Sequence, residues 1–393
     1  MPWMETCRVE QRIRFVQRVR NDGWNVSEAC RAFGVSRKAG HKWLLRYDQE
    51  GLEGLWDRSR ARHTQEHAVG EPIRRLVIEA RRTHPSWGPK KLRPWLRRRH
   101  PALDLPSLTT MGTILRDAKL VTPRRLSRRL HGPQGPSGGE DQPNGVWAVD
   151  FKGQFRLGNG VLCYPLTVSD VYSRYLLACR GLEGVSGLPV RGALERLFRE
   201  RGLPVRMRSD NGAPFASRGP GRLSRLSVWW LDLGIELQRI TPGRPQENGR
   251  HERMHGTLKR ETASPPAASP RAQQRRFDRF RLCFNEERPH EALGQECPAE
   301  HYEFSPRPYP ARIEPPEYPG HYARRAVRTD GSIKWGGELV YISECLAGGA
   351  VGLVETRDDH LQVFYRHHPL GTLRRRSGKL RLQPPEPPEP EDK

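Results

Sequence analysis

The sequence predicts a multidomain chain: all-α at its N-terminus, α/β in its centre around a mixed five-stranded sheet, and a small β-barrel at its C-terminus. Three observations carry that reading. At 393 residues the chain exceeds one ordinary domain. Apolar spacing is helical up to about residue 130, alternates strand-like and helix-like segments from 145 to about 300, and becomes short alternating stretches between 326 and 375. Gly and Pro clusters separate these zones, at 131–144 and again at 305–319. The expected divisions are therefore two helical units at 1–60 and 70–130, a linker at 131–144, the α/β core at 145–302, and the barrel at 322–376. The stretch 383–393, rich in Pro and Glu, is too poor in apolar residues to pack and reads as a disordered tail.

The net charge of +23 points to a polyanionic partner. It is concentrated: residues 72–131 hold sixteen Lys or Arg against the acids Glu79, Asp104 and Asp117. The seven cysteines are scattered singly, and His84, His100 and His131 have no Cys-x-x-Cys companion, so neither disulfides nor a structural zinc domain is expected. No apolar run is long enough for a transmembrane helix, and the charged first twenty residues lack a signal-peptide core, so a cytoplasmic protein is expected.

The first unit carries a helix-turn-helix pattern. Ser27 can cap a short helix over 28–33, Gly34-Val35-Ser36 supplies the turn, and Ser36 caps a second helix over 37–49 with Trp43, Leu44 and Tyr47 at helical spacing. Arg37, Lys38, His41 and Lys42 fall on its early turns, the part that reaches base edges when such a helix enters the major groove. A second unit of winged-helix or helix-turn-helix type follows. Lys90 and Lys91 open its helix containing Leu92, Trp95 and Leu96, and Ser107 caps another helix running to Ala118.

In the core, the segment 145–155 alternates as a strand, with Val146, Ala148, Asp150 and Lys152 on one face. An acid amid packable residues needs a cation or hydrogen-bond partner. Strands over 161–168 and 172–179 meet at Ser169-Asp170-Val171, and a helix over 189–201 follows. The strand over 205–209 then ends at Asp210-Asn211-Gly212, the end of a strand where α/β sheets place their ligands. After a last strand over 235–240, a helical stretch places Glu252, His255 and Lys259 on one face. Two Asp and one Glu form the anionic oxygen set that Mg²⁺ or Mn²⁺ takes, and three carboxylates can hold two such ions for phosphoryl transfer.

Val-Asp150-Phe-Lys, Ser-Asp210-Asn-Gly and Pro-Gln-Glu-Asn-Gly-Arg-His-Glu252-Arg together resemble the catalytic core shared by retroviral integrases and bacterial insertion-sequence transposases. The run from Phe284 to Leu293, Phe-Asn-Glu-Glu-Arg-Pro-His-Glu-Ala-Leu, is typical of the bacterial branch. The resemblance covers 145–302 and implies a ribonuclease-H-like fold, catalytic and metal-binding roles for Asp150, Asp210 and Glu252, and two Mg²⁺ or Mn²⁺ ions. It also implies DNA contact by Lys259 and by the loop of Asn211 and Gly212, a homo-oligomer, and double-stranded DNA partners: the terminal inverted repeats of a mobile element and its target. No membrane or small-molecule partner is implied. The 41 residues between Asp210 and Glu252 exceed the family's usual interval, and the Arg/Gly/Ser-rich stretch 216–227 reads as the surface insertion responsible.

Glu247 competes with Glu252 for the third acid, but it lies where acids complement a helix dipole. Asp170 reads as the brace of a hairpin turn or a partner of Arg174. His251 and His255 read as DNA-facing or structural. In the C-terminal zone, the Asp330-Gly331 turn and alternating stretches at 339–343, 350–356 and 361–365 suggest an SH3-like barrel of five strands that contacts DNA or protein.

Overall fold

The computed structural model describes residues 7–58, 69–121, 139–217, 219–240, 249–356, 360–376 and 379–383. They belong to two compact units, Met1–Val69 and Gly70–Lys393.

The first unit contains α1 (Arg8–Arg20), α2 (Val26–Ala32) and α3 (Arg37–Glu50) around Phe15, Val16, Ala29, Cys30, Leu44 and Leu55. Ser36 caps α3 as its sequence suggests, accepting from the Ala39 amide at 3.2 Å. The cap of α2 differs from the expectation. Asn25, not Ser27, accepts the orphan amide, from Ser27 at 2.9 Å, and the helix starts two residues earlier than expected. The close crossing of α2 and α3 depends on Gly40, where a Cβ would stand 2.5 Å from the Cys30 sulfur. Arg37, Lys38, His41 and Lys42 are all exposed on α3.

The second unit opens with α4 (Glu71–Thr83), α5 (Pro89–Arg99) and α6 (Leu108–Asp117), closed over buried Trp87, Leu92, Leu96, Met111 and Leu115. Ser107 caps α6 through the Thr110 amide at 3.2 Å. The stretch read as a linker is shorter than expected. Residues 131–138 lie outside the described residues, whereas 139–144 are folded onto the core. There Asn144 takes a left-handed backbone (φ 62°), its amide donates to Asp170, and its side chain bridges the Trp147 indole and the Glu303 carbonyl. Gly-rich composition marks tight approach here: a Cβ on Gly145 would meet the Gly139 carbonyl at 2.3 Å.

The core is a mixed sheet of β1 (Val146–Phe151), β2 (Phe155–Arg156), β3 (Leu162–Asp170), β4 (Leu176–Leu182), β5 (Arg206–Ser209) and β6 (Glu236–Arg239). Its spatial order is β4-β3-β1-β5-β6, with the two-residue β2 added beside β3. The pairs β3–β4 and β1–β3 are antiparallel, while β1–β5 and β5–β6 are parallel. Helices α7 (Gly187–Arg201) and α8 (Arg225–Asp232) cover one face, against Trp147, Val149 and Met207. On the opposite face, α9 (Gly249–Thr262) and α10 (Pro270–Leu282) pack Met254, Leu258, Phe277 and Phe280 onto Cys163, Leu176 and Cys179. The alternation expected along the first strand thus decides which side of the sheet Asp150 addresses.

Seven strands follow: β7 (Ala323–Ala326), β8 (Ser332–Trp335), β9 (Glu338–Tyr341), β10 (Ala350–Glu355), β11 (Leu361–Tyr365), β12 (His368–Arg376) and β13 (Lys379–Gln383). They form an open antiparallel sheet, β13-β12-β11-β10-β7, and a separate β8–β9 hairpin. The expected SH3-like barrel is therefore corrected to an open small all-β unit that runs on to Gln383. Alternation reports that strands exist but not whether their edges meet. Past Gln383, the stretch read as a disordered tail lies outside the described residues.

The surface insertion expected at 216–227 is also corrected. Leu223 is fully buried, and with Val228 and Leu231 it enters the apolar core of the C-terminal sheet beside Val327, Val351 and Leu353. Tyr365 and Arg366 complete the junction on the Asp232 carboxylate, at 2.7 and 3.0 Å.

Candidate active site

Asp150 comes from β1, on the sheet face covered by α9. Its side chain is 20% exposed. Asp210 follows β5, the neighbouring parallel strand, and its carboxylate accepts the Gly212 amide at 3.1 Å. Glu252 lies exposed in the first turn of α9. Burial, then the charge of Asp210, then that of Glu252 push the Asp150 carboxyl up to about 7. The three acids therefore share one electrostatic site. Negative charge accumulates there at a price that a bound cation would remove. Among the described residues Glu252 is the acid that α9 supplies to it, while Glu247 lies outside them.

Two buried histidines flank Glu252 on α9, His251 at 3% exposure and His255 at 6%. Both Nε2 atoms lie 2.7 Å from the Thr167 hydroxyl. Thr167 is the β3 residue paired with Asp150, and its hydroxyl also donates to the Asp150 carbonyl at 3.1 Å. Ser169 Oγ stands 3.1 Å from His251 Nδ1. Burial lowers the pKa of both imidazoles, that of His251 to about 4, and keeps them neutral. They face the sheet rather than solvent, which removes the DNA-facing reading. Thr167 and Ser169 were missed from the sequence. The i, i+4 spacing of the histidines was the available signal, because it puts both on one helix face.

The remaining site residues divide. Lys259, exposed on α9, lies two turns beyond Glu252. The side-chain amide of Asn211 donates to the Ile240 carbonyl at 2.8 Å, so it braces the loop after β5 against the end of β6. Lys91 departs from its expected role. Its ammonium donates to the Pro289 carbonyl at 2.5 Å, and burial lowers its pKa to about 8. Lys90 is exposed but stands 3.4 Å from Glu291. The basic start of α5 thus grips the 284–297 segment. Arg98 does likewise from the helix end, reaching the Cys297 sulfur at 2.8 Å and the Gln295 carbonyl at 2.5 Å. Within that segment, Asn285 holds both the amide and the carbonyl of Leu176, at 2.8 and 3.0 Å. Asp170, fully buried, accepts from Asn144 and from the Ser173 amide and hydroxyl, so it braces the β3–β4 turn.

Among the described residues two groups place potential ligand atoms within 4.8 Å of one another: Asp150 with His251 and His255, and His84 with Cys283 and Glu287. Burial raises the Cys283 thiol to about 12, and Arg99 stands 3.9 Å from Glu287.

Residues 140–245 and 233–298 both match the family described as an integrase core domain. Over residues 140–298 the chain is similar to an integrase core. Ahead of it, residues 11–63 match a helix-turn-helix domain and residues 39–115 a homeodomain-like domain. Among curated relatives, the uncharacterized 31.7 kDa protein of insertion element IS407 from Burkholderia multivorans is 34% identical over 159 residues, 40% of this chain and 55% of that protein. The uncharacterized 39.2 kDa protein of insertion element IS476 from Xanthomonas euvesicatoria is 29% identical over 226 residues, 57% of this chain and 62% of that protein. The chain thus spans between half and two thirds of the length of these relatives. A solved structure of the HTLV-2 integrase catalytic core domain in complex with magnesium is 14% identical, with a TM-score of 0.33, covering 41% of this chain and 98% of that one. The three acids all lie within the integrase core matches. No helix among the described residues is long and apolar enough to cross a membrane.

Proposed function

We propose that the chain is a transposase that binds the ends of a mobile DNA element and cuts and joins DNA strands through Asp150, Asp210 and Glu252. The observation that supports this reading is that β1, the end of β5 and α9 supply three carboxylates to one region, where burial first, then the charges of Asp210 and Glu252, raise the Asp150 pKa. That donor set fits Mg²⁺ or Mn²⁺, which take hard anionic oxygens. Two such ions would supply activation of the attacking oxygen and stabilisation of the departing one. The protein's own part is positional. Two neighbouring strands and one helix hold the acids at the carboxyl end of β5, and the Asn211 brace restrains the loop beside Asp210.

The exposed basic turns of α3, with Arg37, Lys38, His41 and Lys42, suit major-groove reading of the terminal repeats. Lys91, bound to the Pro289 carbonyl, joins this helical unit to the core, while exposed Lys90 stays available for DNA. Action as a multimer on paired ends belongs to the same reading. Lys259 is assigned to phosphate contact, so Lys259→Ala should weaken DNA binding evenly across sequences and lower the salt slope by about 1. Unchanged salt dependence would count against that role.

The deciding experiment supplies the full chain and Mg²⁺ to a plasmid whose marker is bracketed by the inverted repeats flanking the gene. Joined transfer products are expected. Nicks without joining would leave a nuclease, and binding without cutting would leave a DNA-binding regulator.

A further inference from the structure

The Thr167 hydroxyl permits a full proton count. It has one hydrogen and two lone pairs. The hydrogen goes to the Asp150 carbonyl, which can only accept, at 3.1 Å. His251 and His255, each 2.7 Å away through Nε2, must then both donate. Both imidazoles are therefore Nε2–H tautomers with a lone pair on Nδ1. The His251 lone pair is taken by Ser169 Oγ at 3.1 Å. The His255 lone pair faces Asp150 Oδ2 at 3.8 Å.

At 3.8 Å these two atoms are too far apart to share a hydrogen bond. The distance does suit two ligands of one ion, since two bonds of about 2.1 Å span up to ~4.2 Å. A ligating histidine ordinarily donates its other ring N–H to a fixed acceptor, which sets its tautomer and orientation. Thr167 does that for His255 from the strand position opposite Asp150. His255 also lies one turn beyond Glu252 on α9, so one helix would present an oxygen and a nitrogen donor to the same place.

We infer that His255 is a nitrogen ligand of the cation site built on Asp150, Asp210 and Glu252, and that Thr167 is the positioning residue that turns its Nδ1 toward the ion. The inference rests on the metal-dependent reading above and extends it. A mixed nitrogen and oxygen site favours Mn²⁺ over Mg²⁺ more than an all-carboxylate site does.

The test is Mn²⁺ binding to the full chain, followed by electron spin echo spectroscopy of the bound ion. Modulation from a directly bound ¹⁴N is expected in the wild type, lost in His255→Gln and kept in His251→Gln. Mn²⁺ affinity should fall about tenfold in Thr167→Val and return in Thr167→Ser. Wild-type protein that binds Mn²⁺ without ¹⁴N modulation, or modulation that survives His255→Gln, overturns the inference and leaves the carboxylate site standing. Mn²⁺ binding that is absent, or indifferent to Asp150→Asn, overturns the metal reading as well.

Discussion

Asp150→Asn is expected to abolish strand transfer, by at least about 10³-fold, while binding of DNA ends stays at the wild-type level. The amide keeps the shape of the carboxylate but removes the charge a divalent ion requires. End binding is assigned to elements elsewhere, α3 and Lys259, and should not sense the change. Transfer assays in Mg²⁺ alongside gel-shift titrations separate the two. Normal joining by the mutant would sink the mechanism.

The same substitution has a second signature in stability without metal. An acid whose folded pKa is raised from 3.8 to about 7 remains protonated in the fold while the unfolded chain ionises. The folded state therefore loses stability relative to the unfolded one as pH rises from about 4 to 7, and the deficit is constant above that. Asn does not titrate. The mutant's melting temperature should thus gain on the wild type across that window and stay above it at pH 8. A mutant less stable than wild type at pH 8 would contradict an Asp150 carboxyl raised by burial and by the neighbouring acids.

Glu140→Ala should cost about 3–5 kcal/mol of folding stability, read by urea unfolding. Glu140 pairs with Arg208 and, at 2.7 Å, with Arg250. The Arg208 side chain is only 6% exposed, so losing Glu140 takes a carboxylate partner from a buried guanidinium that also donates to Gln238, at 2.9 and 3.0 Å. Arg250 opens α9 two residues before Glu252, and β5, which holds Arg208, runs directly into Asp210. The mutant should therefore also bind Mn²⁺ more weakly. Converting Glu140 and Arg208 together to Met should recover much of the stability but not the Mn²⁺ affinity. A loss below about 1 kcal/mol in Glu140→Ala would show that the network is solvated rather than structural.

Elements declared by local pattern were legible without a structure. The alternation around Asp150 and the Asn-Gly after Asp210 survive in three dimensions, whereas the face expected for Glu252, His255 and Lys259 divides, with His255 buried and the other two exposed. The Ser36 and Ser107 caps survive as well. Misreadings cluster where composition stood in for packing. Gly and Ser content made 139–144 a linker and 216–227 a loop, yet Asn144 and Leu223 are buried. Arg and Lys content made the start of α5 a DNA surface, yet Lys91 is bound to the Pro289 carbonyl.

By itself the sequence determined where the candidate acids fall, on β1, just past β5 and in α9, the exposed basic turns of α3, and the chain's α, α/β and β zones. Those properties are written in local periodicity and residue chemistry. Only the tertiary structure decided that the C-terminal strands stay open, that Lys91 of α5 binds the Pro289 carbonyl, and that one threonine hydroxyl serves two histidines beside Asp150. These depend on which groups from distant segments meet, and a buried polar atom's partner is chosen by the whole fold.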